Sequence, residues 1–485
     1  MMPSPVIRPR PDWLWTVLLA APVAWLSATA TPSAVLTVVA AVSPLIVSFL
    51  SPASGLYILV FSMLLGPEVL IGELGSGALL GRGVTLRFDD LLLLLVGFGW
   101  LGRMALAPSQ RIVLRTPLNR PIVWYVVGCV FATLVGVLAG RIRPASGFFF
   151  LLKYYEYFFI YFMTVNIVTD KRDVQRLVTA SLVTCGLVSL YAIAQIPSGV
   201  RVSAPFEGQE GEPNTLGGYL VFLLAIIGSL VIVRGAVFRR WPLILLGATA
   251  VVALQATLSR ASFLALVPVL LGFAYIIRRR HPLLLIWALI AAIGLAWLLP
   301  RPVVDRITYT FNQPAEEGQI KVGALRIDTS TSDRLRSWKQ AGEVWLTSPL
   351  WGKGVTGGPF MDAMYPHVLT ETGLIGLAAF GVLLWSLFRA GMTGYHLSPD
   401  PYLQAISLGF VLGFLGLLVH AIGSNTFIIV RIMEPFWLFA GLVVKGHMLG
   451  NPAAPQRNPD DSASRTNGLA DERQFIPGLG PVIPR

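Results

Sequence analysis

Long apolar runs constrain this 485-residue chain more than any other feature. A helix needs roughly 20 predominantly apolar residues to cross the hydrocarbon core of a bilayer. Fourteen stretches meet that requirement: 13–30, 33–50, 55–72, 89–107, 121–139, 148–168, 177–197, 214–233, 241–257, 261–277, 282–299, 372–390, 402–421 and 427–445. The segment 55–72 is the weakest, because Pro67 and Glu68 interrupt it. The expected fold is all-α, a polytopic transmembrane helix bundle of about 12–14 spans.

Composition supports the same conclusion. Apolar residues make up 55% of the chain and charged residues 13%, and a water-facing surface carries about twice that charge. A soluble enzyme, a nucleic-acid binder and a disordered scaffold are excluded. The net charge of +12 reads first as topology, since Lys and Arg collect in cytoplasmic loops. With the N-terminus inside, the cytoplasmic terminus and short loops hold sixteen Lys and Arg, among them Arg8, Arg10, Lys171, Arg172 and Arg176. The short outward loops hold seven: Arg82, Arg87, Arg141, Arg143, Arg201, Arg260 and Arg431. Both termini are therefore expected in the cytoplasm. Arg8 and Arg10 before an apolar run ending at Ala28-Thr29-Ala30 resemble a secretory signal; in a chain with this many spans, a retained first helix is expected.

Three regions follow: N-terminal membrane helices over 1–168, a second membrane region over 169–445, and a tail over 446–485. The second region contains the one long outward loop, 300–370, expected to be partly helical. The tail is rich in Pro, Asn, Asp, Ser and Gly and is expected to be disordered. Cys129 and Cys185 lie inside apolar stretches and read as small core residues. No CxxC, HExxH or CxxCH occurs, so neither metal nor cofactor is signalled.

The distinctive polar residues converge on the outward side. Arg201 opens a loop running to Asn214, Arg260 stands at a helix junction, and Asp333, Arg334 and Arg336 lie in the long loop. A Gly-rich turn, 351–358, is followed by Asp362, Tyr365, His367 and Glu371. Together these types hold an anionic group and move a proton beside it. Taken alone, Arg201 reads as a snorkelling residue, and Arg334 and Arg336 equally as a solvated helix face. Arg260, bounded by apolar helices, is costly unless it faces a cavity or partner. Lys153 and Glu156, three apart, are expected to neutralise each other. His281, His396, His420 and His447 read as packing or interfacial residues.

These segments resemble a known family. Arg201-Val-Ser-Ala-Pro-Phe followed by Glu212-Pro-Asn-Thr-Leu-Gly-Gly218 is similar to the stretch that opens a central helix in the O-antigen ligase and polysaccharide polymerase superfamily. Leu258-Ser-Arg-Ala-Ser262 resembles its next helix start. Arg334-Leu-Arg-Ser-Trp-Lys-Gln-Ala341, Ser348-Pro-Leu-Trp-Gly-Lys-Gly354 and Glu371-Thr-Gly-Leu-Ile-Gly376 resemble its periplasmic loop and closing helix. The similarity covers about residues 195–390. Ligases of the family carry a His-Asn pair about nine residues before the Glu that precedes the closing helix. Here Asp362 stands at that place, with His367 five residues on and Tyr365 matching the aromatic of the pattern. An acidic residue there points toward the chain-extending polymerases.

The resemblance implies a metal-independent, inverting glycosyltransferase of lipopolysaccharide or exopolysaccharide biosynthesis, in the bacterial inner membrane. The donor would be an undecaprenyl-diphosphate-linked oligosaccharide. The acceptor would be a lipid-linked glycan or the lipid A core. Arg201, Arg260, Arg334 and Arg336 would bind diphosphate, Asp362 or His367 would be the base, and Asn214, Tyr365 and Glu371 would support them. Apart from membrane lipids, no further partner is implied. The rival expectation is a transporter or flippase of lipid-linked glycan, built around Lys153 and Glu156.

Overall fold

The computed structural model describes residues 42–70, 85–106, 115–207, 211–278, 328–359 and 361–450, with isolated positions between 304 and 326. Expected spans 13–30 and 282–299, the start of 33–50, most of 300–327, the signal-like N-terminus and the tail beyond 450 lie outside the described residues.

Residues 42–50 are helical. They lead into α1 (Pro52–Leu65), α2 (Phe88–Leu106), α3 (Asn119–Leu138), α4 (Pro144–Ile167), α5 (Lys171–Gln195), α6 (Pro213–Ile232), α7 (Trp241–Ala256) and α8 (Arg260–Arg278). After the partly described stretch come α9 (Thr329–Leu346), α10 (Met364–Leu397), α11 (Pro401–His420) and α12 (Val430–Gly450). Among the described residues, seven helices are long and apolar enough to cross a membrane: α3 to α6 and α10 to α12. The chain is a multi-pass membrane protein with an all-helical bundle. Its only described strands form two short antiparallel ribbons, Glu68–Leu70 (β1) with Thr85–Arg87 (β2), and Lys321–Val322 (β3) with Leu325–Arg326 (β4).

Helix starts follow local chemistry. Pro stands in the first turn of α1, α4, α6, α7 and α11, where its missing N–H has no helical partner to lose. Asp170 caps α5 by accepting from Asp173 N, and Asp400 caps α11 by accepting from Tyr402 N and Leu403 N. The expected span 55–72 is corrected: α1 stops at Leu65, because Gly66 and Pro67 break it, and Glu68 begins β1. The expected tail also begins later, since residues 446–450 continue α12.

Helices α6, α11 and α12 form the centre and are mostly buried. Along α11, Gly409, Gly413 and Gly416 face Ile226, Phe222 and Val269 at distances that leave no room for a Cβ. Small residues at such spacing let membrane helices approach closely, and here they seat α11 on α6 and α8. Phe222, Phe410 and Phe436 close the core, with the rings of Phe410 and Phe436 5.0 Å apart. Apolar side chains such as Trp124 on α3 and Leu245 on α7 face outward, as lipid-facing positions do.

Helix α10 is two pieces. Gly373 has φ 64° and ψ −164° within it, a conformation open to glycine but not to residues with a Cβ. The same site is sterically closed, because a Cβ there would lie 2.4 Å from Leu350 O. The turn after α9 is thereby pressed into the break.

Candidate functional site

The ends of many helices meet at one end of the bundle. Arg431, in the first turn of α12, bonds to carbonyls at the end of α1 and in the α5–α6 loop. Met364 N, at the start of α10, donates to Ala421 O just past α11. The start of α6 bonds to the start of α8, and the end of α7 accepts from the α5–α6 loop.

Arg201 and Arg260 sit within this cluster. Arg201 Nε donates to Thr257 O at 3.0 Å. The turn after α7 holds Leu258 at φ 51°, and Ser259 then starts α8 by accepting from Ser262 N. Arg260, the first residue of α8, reaches Asp328 with Nη2 2.7 Å from Oδ2. Burial raises the Asp328 carboxyl, but hydrogen bonds from Arg260 and Thr331 outweigh it and hold the group below the ordinary Asp range. Asn214 Oδ1 accepts from Ser259 Oγ at 2.8 Å. The chain of contacts continues through Ser262 to His420 Nε2 at 3.2 Å, and His420 Nδ1 lies 2.8 Å from Thr426 Oγ1. His420 is thus a buried link in a hydroxyl network. Arg334 of α9 lies against Gly423 in the turn after α11, while Arg336 is on the exposed side of α9.

That same turn carries the approach to α10. Asn425 Nδ2 donates to Met361 O at 2.5 Å, and Tyr365 Oη donates to Leu418 O at 2.7 Å. Asp362, between them, is exposed. The structure therefore links two turns: 257–259, which Arg201 and Asn214 contact and which leads into Arg260, and 421–425, where Arg334 lies against Gly423 and Asn425 holds Met361 beside Asp362.

His367 and Glu371 belong to a separate, buried group. His367 Nε2 lies 3.0 Å from Tyr154 Oη and 3.3 Å from Glu371 Oε1, and Tyr154 Oη also donates to Glu371 Oε2 at 3.2 Å. Thr356 N donates to Glu371 Oε1 at 2.9 Å. His367 and Glu371 are both buried. This group ties α4, α10 and the glycine-rich turn together, and it shields His367 from approach.

No protein-family model and no characterised protein matches this chain. Among the described residues, three non-glycine positions have positive φ: Phe206, Leu258 and Thr356. Each lies in a segment that carries or touches a candidate residue: Arg201, Arg260 and Glu371 respectively. Strained backbone persists only where its surroundings fix it, and it gathers at functional sites.

Asp328 has no distinguishing sequence signal within a polar loop. Arg431 was expected in an outward loop; it is instead 1% exposed within α12, and Arg87 is likewise buried. The expected Lys153–Glu156 pair is present, with Asp90 as a further partner. Lys153 pairs chiefly with Asp90 of α2 and lies 3.7 Å from Glu156. Asp89, Asp90 and Glu434 are buried nearby. An acidic residue inside an apolar span is the signal that would have found them.

Proposed function

We propose that this chain is a membrane glycosyltransferase that transfers or polymerises undecaprenyl-diphosphate-linked saccharide at the periplasmic face, as a polymerase rather than a ligase. The observation carrying this reading is that Arg201 is held at the turn that leads into Arg260, while Ala261 and Arg334 lie against Gly423, in the turn whose Asn425 holds Met361 beside the exposed Asp362. Breaking the anomeric C–O bond leaves an electron pair and growing negative charge on the diphosphate. Guanidinium groups held nearby stabilise that charge as it develops. The acceptor hydroxyl attacks from the opposite side, forming the new C–O bond with inversion. Its proton passes to a positioned base. Exposure favours Asp362 over the enclosed His367 for that role.

A donor anchored by a polyprenyl chain also accounts for a site at the ends of membrane helices: the tail stays in lipid while the sugar reaches the loop. Transport of lipid-linked glycan remains the rival reading, and the Asp90–Lys153–Glu156 cluster is the observation in its favour. Incubating purified protein with undecaprenyl-diphosphate saccharide, with no gradient, separates the two. Release of undecaprenyl diphosphate with growth of the glycan is expected, and loss of both in Arg201→Ala and Arg260→Ala. Translocation without bond cleavage, or wild-type turnover in either variant, overturns the proposal.

A further inference from the structure

The segment that carries Arg201 is pinned along its length. Val202 N donates to Ala256 O, and the Gln195 side chain both accepts from Ser203 N and donates to Ser203 O. Beyond these, Arg431 takes over. Its Nη1 donates to Pro205 O at 2.7 Å and Leu64 O at 3.3 Å, and its Nη2 to Gly66 O at 3.3 Å and Phe206 O at 3.2 Å. Glu207 completes the hold. Its Oε1 lies 3.8 Å from Arg431 Nη1, while its Oε2 accepts from Ala204 N at 3.1 Å and Glu212 N at 2.9 Å.

Burying a guanidinium this deeply is costly, and these hydrogen bonds to carbonyls offset that cost. Two of its bonds fall on a place where the backbone is strained. Phe206 has φ 59°, the left-handed region that bulky residues avoid. The residue is nevertheless 58% exposed. The hold on both adjoining carbonyls fixes a conformation that turns the ring out, in the same segment as Arg201.

We propose that Phe206 is a substrate-contacting platform for the apolar face of a saccharide ring, and that Arg431 and Glu207 are the positioning residues that present it. The assignment rests on the glycosyltransferase reading above. Aromatic faces bind flat, apolar C–H surfaces without using hydrogen bonds, which complements an arginine on the adjacent diphosphate.

The test combines kinetics with amide hydrogen exchange on the full chain in detergent, using undecaprenyl-diphosphate saccharide as substrate. Phe206→Leu is expected to raise KM by about tenfold, the scale of one lost aromatic contact, with kcat and melting temperature little changed. Phe206→Trp is expected to retain the wild-type KM. Arg431→Met and the milder Glu207→Gln are expected to speed exchange across 202–207 and to raise KM in parallel. An unchanged KM in Phe206→Leu overturns the platform. Unchanged exchange in both latch variants overturns the positioning role. If the wild type shows no turnover, the glycosyltransferase reading fails and the platform with it, while the exchange arm still decides whether the latch holds the segment.

Discussion

Replacing Glu207 by Gln should remove a pH dependence of stability that the wild type carries near neutrality. The Glu207 side chain is 3% exposed. Burial is the main influence on it and raises it; Arg431 and the N–H groups of Glu212 and Ala204 pull it back, and the Glu212 charge pushes it up again. The balance leaves Glu207 at about 7, against an ordinary 4.5. Between those values the unfolded chain has released the proton and the folded protein still holds it. Stability therefore falls as pH rises through the window, by the difference multiplied by about 1.36 kcal/mol per pH unit, which gives about 3 kcal/mol. Below 4.5 both states are protonated and nothing is lost. Gln has the same shape and does not titrate, so its contribution stays level. The assay is the thermal unfolding midpoint of wild type and Glu207→Gln in detergent from pH 4.5 to 8. The wild type should lose stability relative to the variant as pH rises, with the change centred between 4.5 and about 7. Parallel profiles would refute the reasoning, because they would mean that Glu207 reaches water or is ionised throughout.

Two further outcomes follow from the packing. Gly217→Ala places a Cβ 2.1 Å from Ser262 Oγ; overpacking of this kind costs about 1–3 kcal/mol, and a lowered unfolding midpoint should accompany loss of the Ser259–Ser262–His420 contacts. Tyr154→Phe removes the hydroxyl shared by His367 and Glu371. It should cost about 1–3 kcal/mol because buried partners are left unmet, and an unchanged midpoint would show that water replaces that hydroxyl.

Hydropathy made the central helices legible. Expected spans 214–233 and 402–421 match α6 and α11 within a residue, since Pro213 and Pro401 mark their starts. At 55–72, Pro67 and Glu68 mark the weak end in the sequence, and the helix stops just before them at Leu65. Arg201, Asn214, Arg260 and Arg334 were legible because each stands at the edge of an apolar run or within an ordered set of short motifs. The Arg431–Glu207 latch was not. Its partners come from the end of α1, the α5–α6 loop and α12, and no local pattern records a pairing that exists only after folding. Asp89, Asp90 and Glu434 were overlooked for a different reason: one charge scarcely lowers the mean of an apolar window, yet its burial governs what must pack beside it.

The break at Gly373 has a consequence for length. At about 1.5 Å per residue, an unbroken α10 would run about 50 Å, far more than a hydrocarbon core of about 30 Å. Divided at residue 373, the later piece, 374–397, is about 36 Å long, enough to cross with a modest tilt. The earlier piece, 364–372, is then free of the spanning requirement and can lie at its own angle at the edge of the membrane. His367 and Glu371 belong to that short piece, so one glycine lets a single run of chain act as both a membrane crossing and a separate shelf for polar groups.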